Sequence, residues 1–323
     1  MVENSKLKLP TVLVTGAAGF VGRQLCEHLG TLGFIVRGTY RGVRRPADSH
    51  SNVVWFNQGD IGAETDWTEV LGGVISIVHL AGRAHVMNET LNDPLTEFRR
   101  INVEGSMQLA RQAIASGVKR FVFISSIGVN GSQSLQPFTE ADEPNPIEPY
   151  AISKFEAEKR LSELVANSGM ELVILRPPLV YGPNAPGNFG SLLRWAKSGI
   201  PLPLGAIHNK RSLVALDNLV DLITTCLDHP AAANQTFLAG DGHDLSTTEL
   251  LQRVALALGK PARLIPVPAG VLQWSAALLG KKAMMQRLCG SLQVDIGKAG
   301  NVLGWTPPVT VDEGLRRAVA DIR

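Results

Sequence analysis

Cysteine is scarce in this chain. Cys26, Cys226 and Cys289 are the only three; they lie far apart and show no metal-ligand spacing. An odd, unframed set argues against a disulfide scaffold and fits a reducing cytoplasm. Long runs of one charge are missing and the formal net charge is +2, so neither nucleic acid nor a membrane surface is implied as a partner. No apolar run is long enough to cross a bilayer. The longest near the C-terminus, Ala269 to Leu279, contains Gln273 and Ser275. Met1 to Pro10 has no apolar core of signal-peptide length. Internal repeats and low-complexity segments are also absent. The expectation is a soluble, cytoplasmic protein without membrane insertion. Its 323 residues, 45% hydrophobic, are enough for one large α/β unit with a smaller appended lobe.

What is present is organised around Thr11 to Gly22, T-V-L-V-T-G-A-A-G-F-V-G. Val12, Leu13 and Val14 read as a buried parallel strand. Gly16, Gly19 and Gly22 follow at three-residue steps. Phe20, Val21, Leu25, Leu29 and Leu32 then read as a helix. Strand, glycine turn and helix together present free backbone N–H groups to a phosphate. Gly16 allows the tight turn, Gly19 removes a Cβ where a pyrophosphate approaches, and Gly22 lets helix and strand pack closely. The glycines alone would also suit a turn with no ligand; the strand before and the helix after favour a dinucleotide.

Further strands are expected at Phe34–Tyr40, Val53–Asn57, Val74–Leu80, Phe121–Ile124 and Leu172–Leu175. One long helix is expected from Pro94 to Ser116. The second strand ends in Tyr40-Arg41-Gly42, followed by Arg44 and Arg45, with no carboxylate before Asp48. A ribose 2′-phosphate would be repelled by a carboxylate and held by guanidinium. The sequence therefore leans to NADP(H) over NAD(H), with Arg41 leading and Arg44 or Arg45 in support; the competing reading is a solvated basic loop. His79 sits inside an apolar strand and reads as a packed histidine. Arg83 and His85 follow at the strand's C-terminal end, where α/β sheets hold ligands.

Tyr150 and Lys154 are spaced i, i+4 on a helix expected to run to about Asn167, so they share one face. Free tyrosine, with a pKa of about 10, is a poor base at neutral pH. A nearby ammonium lowers that value, and Tyr150 can then exchange a proton with an alcohol or ketone oxygen. Ser126 ends the fifth strand and can bond the same oxygen; Ser125 is the second choice.

The glycine spacing with Thr15 before it, the strand-ending Ser and the Y-x-x-x-K pair together resemble the extended short-chain dehydrogenase/reductase family, in its nucleotide-sugar branch. That resemblance covers nearly the whole chain. It implies an α/β fold: a Rossmann doubly wound parallel sheet with a smaller C-terminal substrate lobe. The expected division is a dinucleotide domain at 1–180, rejoined by 213–240, and a nucleotide-sugar lobe at 181–212 and 241–323. The resemblance implies a Ser126-Tyr150-Lys154 catalytic triad. It implies cofactor contacts from Gly16, Ala18, Gly19, Phe20, Val21, Asp60, Ile61, Leu80, Ala81, Gly82, Asn102, Pro177 and Leu179, besides Arg41, Tyr150 and Lys154. Asp60 can equally be a turn carboxylate. For the substrate it implies Arg211 on the diphosphate, with Asn188 (expected just before a helix at Gly190–Ser198), Arg83 and Ser126. Arg211 can also be a surface arginine. Trp305 and Met284 or Met285 read as packing or lid residues. A homodimer is implied through the Asn102-region and Tyr150 helices, where Ile152 and Phe155 offer apolar surface.

Departures from the family pattern narrow the reaction. Ile127-Gly128-Val129 follows Ser126, so the carboxylate pair of the dehydratases is missing. Asn130-Gly131 stands where many 4-epimerases have Tyr-Gly. With the arginine cluster, this points first to reduction of a UDP-4-keto-6-deoxy-N-acetylhexosamine at C4, of the UDP-N-acetylquinovosamine dehydrogenase type. A UDP-hexose 4-epimerase with tightly held NAD is second. A non-catalytic NADP(H) sensor is a minor third.

Overall fold

The computed structural model describes residues 10–42, 52–84, 93–278 and 282–320; of 275–277 and 282–284 it describes only helical backbone. Arg44, Arg45, Asp48 and His85 lie outside the described residues, as does the side chain of Met284.

In chain order the elements are β1 (Thr11–Thr15), α1 (Phe20–Thr31), β2 (Ile35–Tyr40), β3 (Val53–Asn57), α2 (Thr68–Leu71), β4 (Ser76–His79), α3 (Pro94–Phe98), a π-helical segment (Arg99–Gly105) and α4 (Ser106–Ala115). There follow β5 (Arg120–Ile124), a 3-10 turn (Ile127–Val129), α5 (Pro149–Val165), β6 (Glu171–Arg176), β7 (Leu179–Tyr181), α6 (Gly187–Ser198), β8 (Leu213–Ala215) and α7 (Leu216–Asp228). The chain closes with β9 (Gln235–Leu238), α8 (Thr247–Ala257), α9 (Ala269–Leu278), α10 (Lys282–Cys289), α11 (Gly297–Leu303) and α12 (Val311–Ala318).

The main sheet has seven strands in the order β3-β2-β1-β4-β5-β6-β9. The pairings from β3 across to β6 are parallel. The order steps outward on both sides of β1, which is the doubly wound pattern. β1 is central, and Val12, Leu13 and Val14 are fully buried, as a strand covered on both faces requires. β7 and β8 form a separate parallel pair.

Contacts divide the chain into two compact units. The first comprises Met1–Ser125, Glu148–Leu175 and Ile223–Thr236; the second comprises Ser126–Ile147, Arg176–Leu222 and Phe237–Arg323. The core of the first gathers Leu13, Trp67, Ile77, Phe121, Phe123 and Leu161 among others. In the second, Ile127, Leu238 and Leu292 form a smaller cluster with Phe138 and Val294 against it. Segments 126–147, 176–180, 213–222 and 237–240, expected with the dinucleotide domain, cluster with the second unit.

The long helix expected over Pro94–Ser116 is broken. Asp93 caps α3 by accepting from the Thr96 amide, and the next seven residues widen into a π turn before α4. Such widened turns re-aim side chains at functional sites. Asn188 also moves: α6 starts at Gly187, so Asn188 is an exposed residue of its first turn, not of the preceding loop.

Candidate active site

The glycine turn is built as its spacing demands. Gly16 has φ 65°, and a Cβ there would meet the Ala81 amide nitrogen at 2.9 Å. The first βα turn is thereby pressed onto the end of β4. At Gly22 a Cβ would meet the Gly16 carbonyl oxygen at 2.3 Å, so only glycine lets α1 start this close. Gly19 caps α1 with no side-chain hydrogen bond, and the helix's first turn holds no acid. The leading N–H groups of α1 thus face no competing carboxylate of their own helix, which suits a phosphate.

Below this turn runs a chain of hydrogen bonds. The Ala81 amide donates to Thr15 Oγ1 (3.1 Å), and Thr15 Oγ1 lies 2.7 Å from His79 Nδ1. His79 Nε2 lies 2.9 Å from Ser106 Oγ, which donates to the Asn102 carbonyl (2.7 Å). Because the Ser106 proton is committed, Nε2 must be the donor and Nδ1 the acceptor. The imidazole is neutral, and burial, with Lys154 nearby, pushes its pKa down to about 3. His79 is a packed histidine, as expected, with both ring nitrogens satisfied.

Asn102 carries the connection on. Its Oδ1 accepts from the Arg83 amide (2.8 Å), and its Nδ2 donates to the Arg83 carbonyl (3.1 Å) and to Ser153 Oγ (3.0 Å). Ser153 Oγ donates to the Tyr150 carbonyl (2.7 Å). The backbone opening α5 is therefore tied, through five side chains, to the glycine turn. The Tyr150 ring stands edge-on to Phe98 at 6.0 Å, and the Arg83 guanidinium lies over the same Phe98 ring at 5.6 Å.

Lys154 is buried, with Nζ 3.9 Å from the Phe123 ring centroid. No protein group among the described residues accepts a hydrogen bond from it. Burial pulls its pKa down to about 7, against the opposing pull of Glu158. Burial pushes the Tyr150 phenol up to about 12. Burial thus moves the phenol opposite to the expected lowering, and the Lys154 ammonium rests on an aromatic face. The phenol is protonated here, and taking a proton from an alcohol requires the phenolate that a neighbouring ammonium favours. Ser125 Oγ is buried without a hydrogen-bond partner among the described residues. An acceptor-less buried ammonium, an orphan hydroxyl and a glycine cradle fit a nicotinamide dinucleotide.

Two expected cofactor contacts read differently in the structure. Arg41 Nη1 bonds Asp60 Oδ1 at 2.9 Å, with side chains 74% and 63% exposed. The leading guanidinium is therefore compensated by the carboxylate assigned to the adenine. Such an exposed pair contributes about 0–1 kcal/mol and yields readily to a stronger anion. Ile61 is 8% exposed and belongs to the core of the first unit, which leaves its backbone, not its side chain, for a ligand.

In the second unit, Ser126 caps the 3-10 turn: its Oγ accepts from the Gly128 amide (3.1 Å). Its own proton has no acceptor among the described residues. The Pro177 carbonyl accepts from the Ile127 amide (3.0 Å), and Leu179 opens β7. Asn130 is 2% exposed, with Oδ1 held by Arg176 (3.0 Å) and Nδ2 on the Thr139 carbonyl (3.2 Å). Arg211 Nη1 donates to the carbonyls of Arg287 (2.6 Å) and Gly290 (3.2 Å). No carboxylate pairs with it among the described residues, and burial lowers its pKa. It is an anchored cation, not a solvated one. Trp305 packs: it is 6% exposed and its Nε1 donates to Asp221.

Residues 12–240 match the model of the NAD dependent epimerase/dehydratase family. The chain belongs to this family. It is thus an enzyme of the extended short-chain dehydrogenase/reductase class. It is 48% identical to a UDP-glucose 4-epimerase of Vibrio cholerae over 96% of this chain and 95% of the relative. Among solved structures it resembles MoeE5 in complex with UDP-glucuronic acid and NAD, at TM-score 0.77 and 25% identity, covering 96% of this chain and 98% of that one. A UDP-glucuronic acid 4-epimerase from Bacillus cereus in complex with NAD shares the fold at TM-score 0.78 and 22% identity, with coverage of 96% and 97%.

Sequence reading missed Thr15, Ser106, Ser153 and Phe98 as supports of the site. The signals were present: a threonine opening the glycine turn, Ser106 one turn after Asn102, and a serine inside Y-x-x-S-K.

Proposed function

We propose that the protein is an oxidoreductase acting at C4 of a UDP-activated sugar, with 4-epimerisation on retained NAD as its principal activity. The observation that carries this is the pair on α5, the Tyr150 phenol one turn from a buried Lys154 that lacks a protein acceptor among the described residues. The 48% identical relative named as a UDP-glucose 4-epimerase supports the substrate class. The dinucleotide, when bound, supplies reversible hydride acceptance. Gly16, Gly19 and the first turn of α1 hold its phosphates, Lys154 its ribose hydroxyls, and Ala81 and Gly82 leave it room. Tyr150, as the phenolate that the neighbouring Lys154 ammonium favours, takes the sugar O4 proton as the carbonyl forms and returns it when C4 is reduced again. We assign Ser126, with its uncommitted proton, to orient that oxygen, and Arg211 to the substrate diphosphate, with Asn188 and Arg83 as further sugar-nucleotide contacts. Half-buried Ile152 and Phe155 on α5 support a homodimer, and the reduced cysteines support a cytoplasmic location.

The paired state of Arg41 weakens the sequence's main reason for placing net reduction first. One observation keeps the 4-keto reductase as the second reading. Asn130 is buried between Arg176 and Thr139, where many 4-epimerases have tyrosine. Incubation with UDP-glucose or UDP-N-acetylglucosamine, without added cofactor, decides between them. C4-inverted product supports epimerisation. Absence of inversion, with NADPH consumed on a UDP-4-keto-6-deoxy sugar, supports the reductase. Unchanged turnover in Tyr150→Phe would remove both and revive the sensor.

A further inference from the structure

The modest net charge hides a strong segregation. No Asp or Glu occurs between Leu172 and Leu216, or between Leu250 and Val294, while Arg194, Lys197, Lys260, Arg263 and Arg287 recur through these stretches. The structure joins the two within the second unit. Residues 202–206 run parallel to 264–268, through the bridges Leu202–Leu264 and Ala206–Pro268. At one end of this ladder Lys260 Nζ donates to the Lys197 carbonyl (2.8 Å) and Arg263 reaches the Gly199 carbonyl (3.5 Å). Trp195 and Ile200 are exposed beside them. At the other end, about 13 Å on by strand rise, α9 begins.

α9 has its apolar pattern turned outward. Val271, Trp274 and Leu278 stand at i, i+3 and i+7, which is one helix face. Trp274 is 68% and Leu278 69% exposed, while Leu272 on another face is buried. Only Gln273 and Ser275 interrupt the helix's apolar sequence. Ile265 adds an exposed side chain on the ladder itself. This is a strip of tryptophan and aliphatic surface, edged by cations and free of carboxylates of its own. Arg253 is not part of it, because it pairs with Asp312.

We propose that this strip docks the protein peripherally on an anionic phospholipid bilayer. A second copy would set cation against cation across a twofold axis. A nucleic acid would engage the charges but leave the outward stripe of α9 in water. An anionic bilayer satisfies both halves: tryptophan and aliphatic side chains enter the headgroup–acyl boundary, and the lysines and arginines meet lipid phosphates. No helix among the described residues is long and apolar enough to cross a membrane, so the association is superficial and salt-sensitive.

The test is sedimentation of the full chain with phosphatidylglycerol–phosphatidylcholine vesicles against pure phosphatidylcholine vesicles, at low and high salt. Binding to the anionic vesicles alone, with a blue shift of tryptophan emission and release by salt, is expected. Trp274→Ser should weaken it by about tenfold and Lys197→Ala by a smaller factor, both with unchanged melting temperature and unchanged turnover of the UDP-sugar. The proposal is overturned by no binding that depends on anionic lipid, by equal binding by Trp274→Ser, or by a dimer in sedimentation velocity that Trp274→Ser converts to monomer. Capture of polynucleotide that Trp274→Ser abolishes would also overturn it. The assay uses no substrate, so its failure leaves the catalytic reading untouched.

Discussion

Lys154 Nζ lies 3.9 Å from the centroid of the Phe123 ring, and His79 stacks on that same ring at 5.9 Å and an interplanar angle of 23°. One aromatic side chain of β5 thus touches both the cation of the site and the imidazole that ties the site together. The ring face attracts the ammonium but cannot replace lost water, which is why Lys154 is held near pH 7 and His79 well below its ordinary range.

For Lys154 the sign is as follows. Its folded pKa, about 7, lies below the unfolded value of about 10.4. The unfolded chain therefore binds more protons between those limits, and stability rises with pH across that window. Lys154→Met should abolish turnover yet stabilise the cofactor-free protein at pH 7 by about 1–4 kcal/mol, as replacement of a buried charge does. Thermal unfolding from pH 6 to 10 checks this; a variant less stable than the parent at pH 7 would sink it.

Tyr150→Phe keeps the edge contact with Phe98 and the tie from Ser153 to its carbonyl, because both involve the ring or backbone. Turnover should fall by about 10²–10⁴ while dinucleotide affinity holds. Stopped assays with titration of bound dinucleotide separate the two effects.

His79 also has a folded pKa below its unfolded one. Protons are taken up by the unfolded chain below about pH 6.5, so stability is lost as pH falls from there toward 3. The slope reaches about 1.4 kcal/mol per pH unit. His79→Gln should flatten this acid limb. It should also lower kcat more than it raises KM, since the tie from Thr15 to Tyr150 is cut. An unchanged acid limb would show that the imidazole is not neutral in the fold.

The Arg41–Asp60 pair makes cofactor choice adjustable. Asp60→Asn leaves the guanidinium uncompensated and should raise affinity for NADPH relative to NADH. Arg41→Ala should do the reverse. Isothermal titration of both cofactors reads the ratio; identical ratios in the two variants would place the 2′-position elsewhere.

Arg211→Lys tests the anchored cation. A lysine cannot keep both carbonyl contacts and present a planar fork. Loss of a charge-assisted bond worth about 1.5–3 kcal/mol should raise the KM for UDP-sugar roughly tenfold or more, with kcat changed much less.

Much of this architecture was legible in the residues. Val12 to Gly22 specified strand, turn and helix, because a buried parallel strand and Cβ-free contacts leave few alternatives. That Tyr150 and Lys154 share one face follows from helical spacing; their role as a pair rests on the glycine turn, the strand-ending serine and the family resemblance together. What escaped depended on long-range partners. The π turn over Arg99–Gly105 carries no local signature distinguishing it from α-helix; it lets Asn102 reach Arg83 and Ser153, far away in sequence. The rise in the Tyr150 pKa likewise reflects burial by the whole fold. Arg41 looked available because nothing nearby in sequence pairs with it; Asp60, nineteen residues on, does.

The interleaving of the two units has a consequence for how the chain is made. Arg120 on β5 donates to the carbonyls of Cys226 and His229, so the first unit closes on a segment that the ribosome delivers only after two of the second unit's three segments. Neither unit is a contiguous stretch of translated sequence. A single cut cannot release either one intact, and a message truncated after β6 would yield a sheet without its last latch.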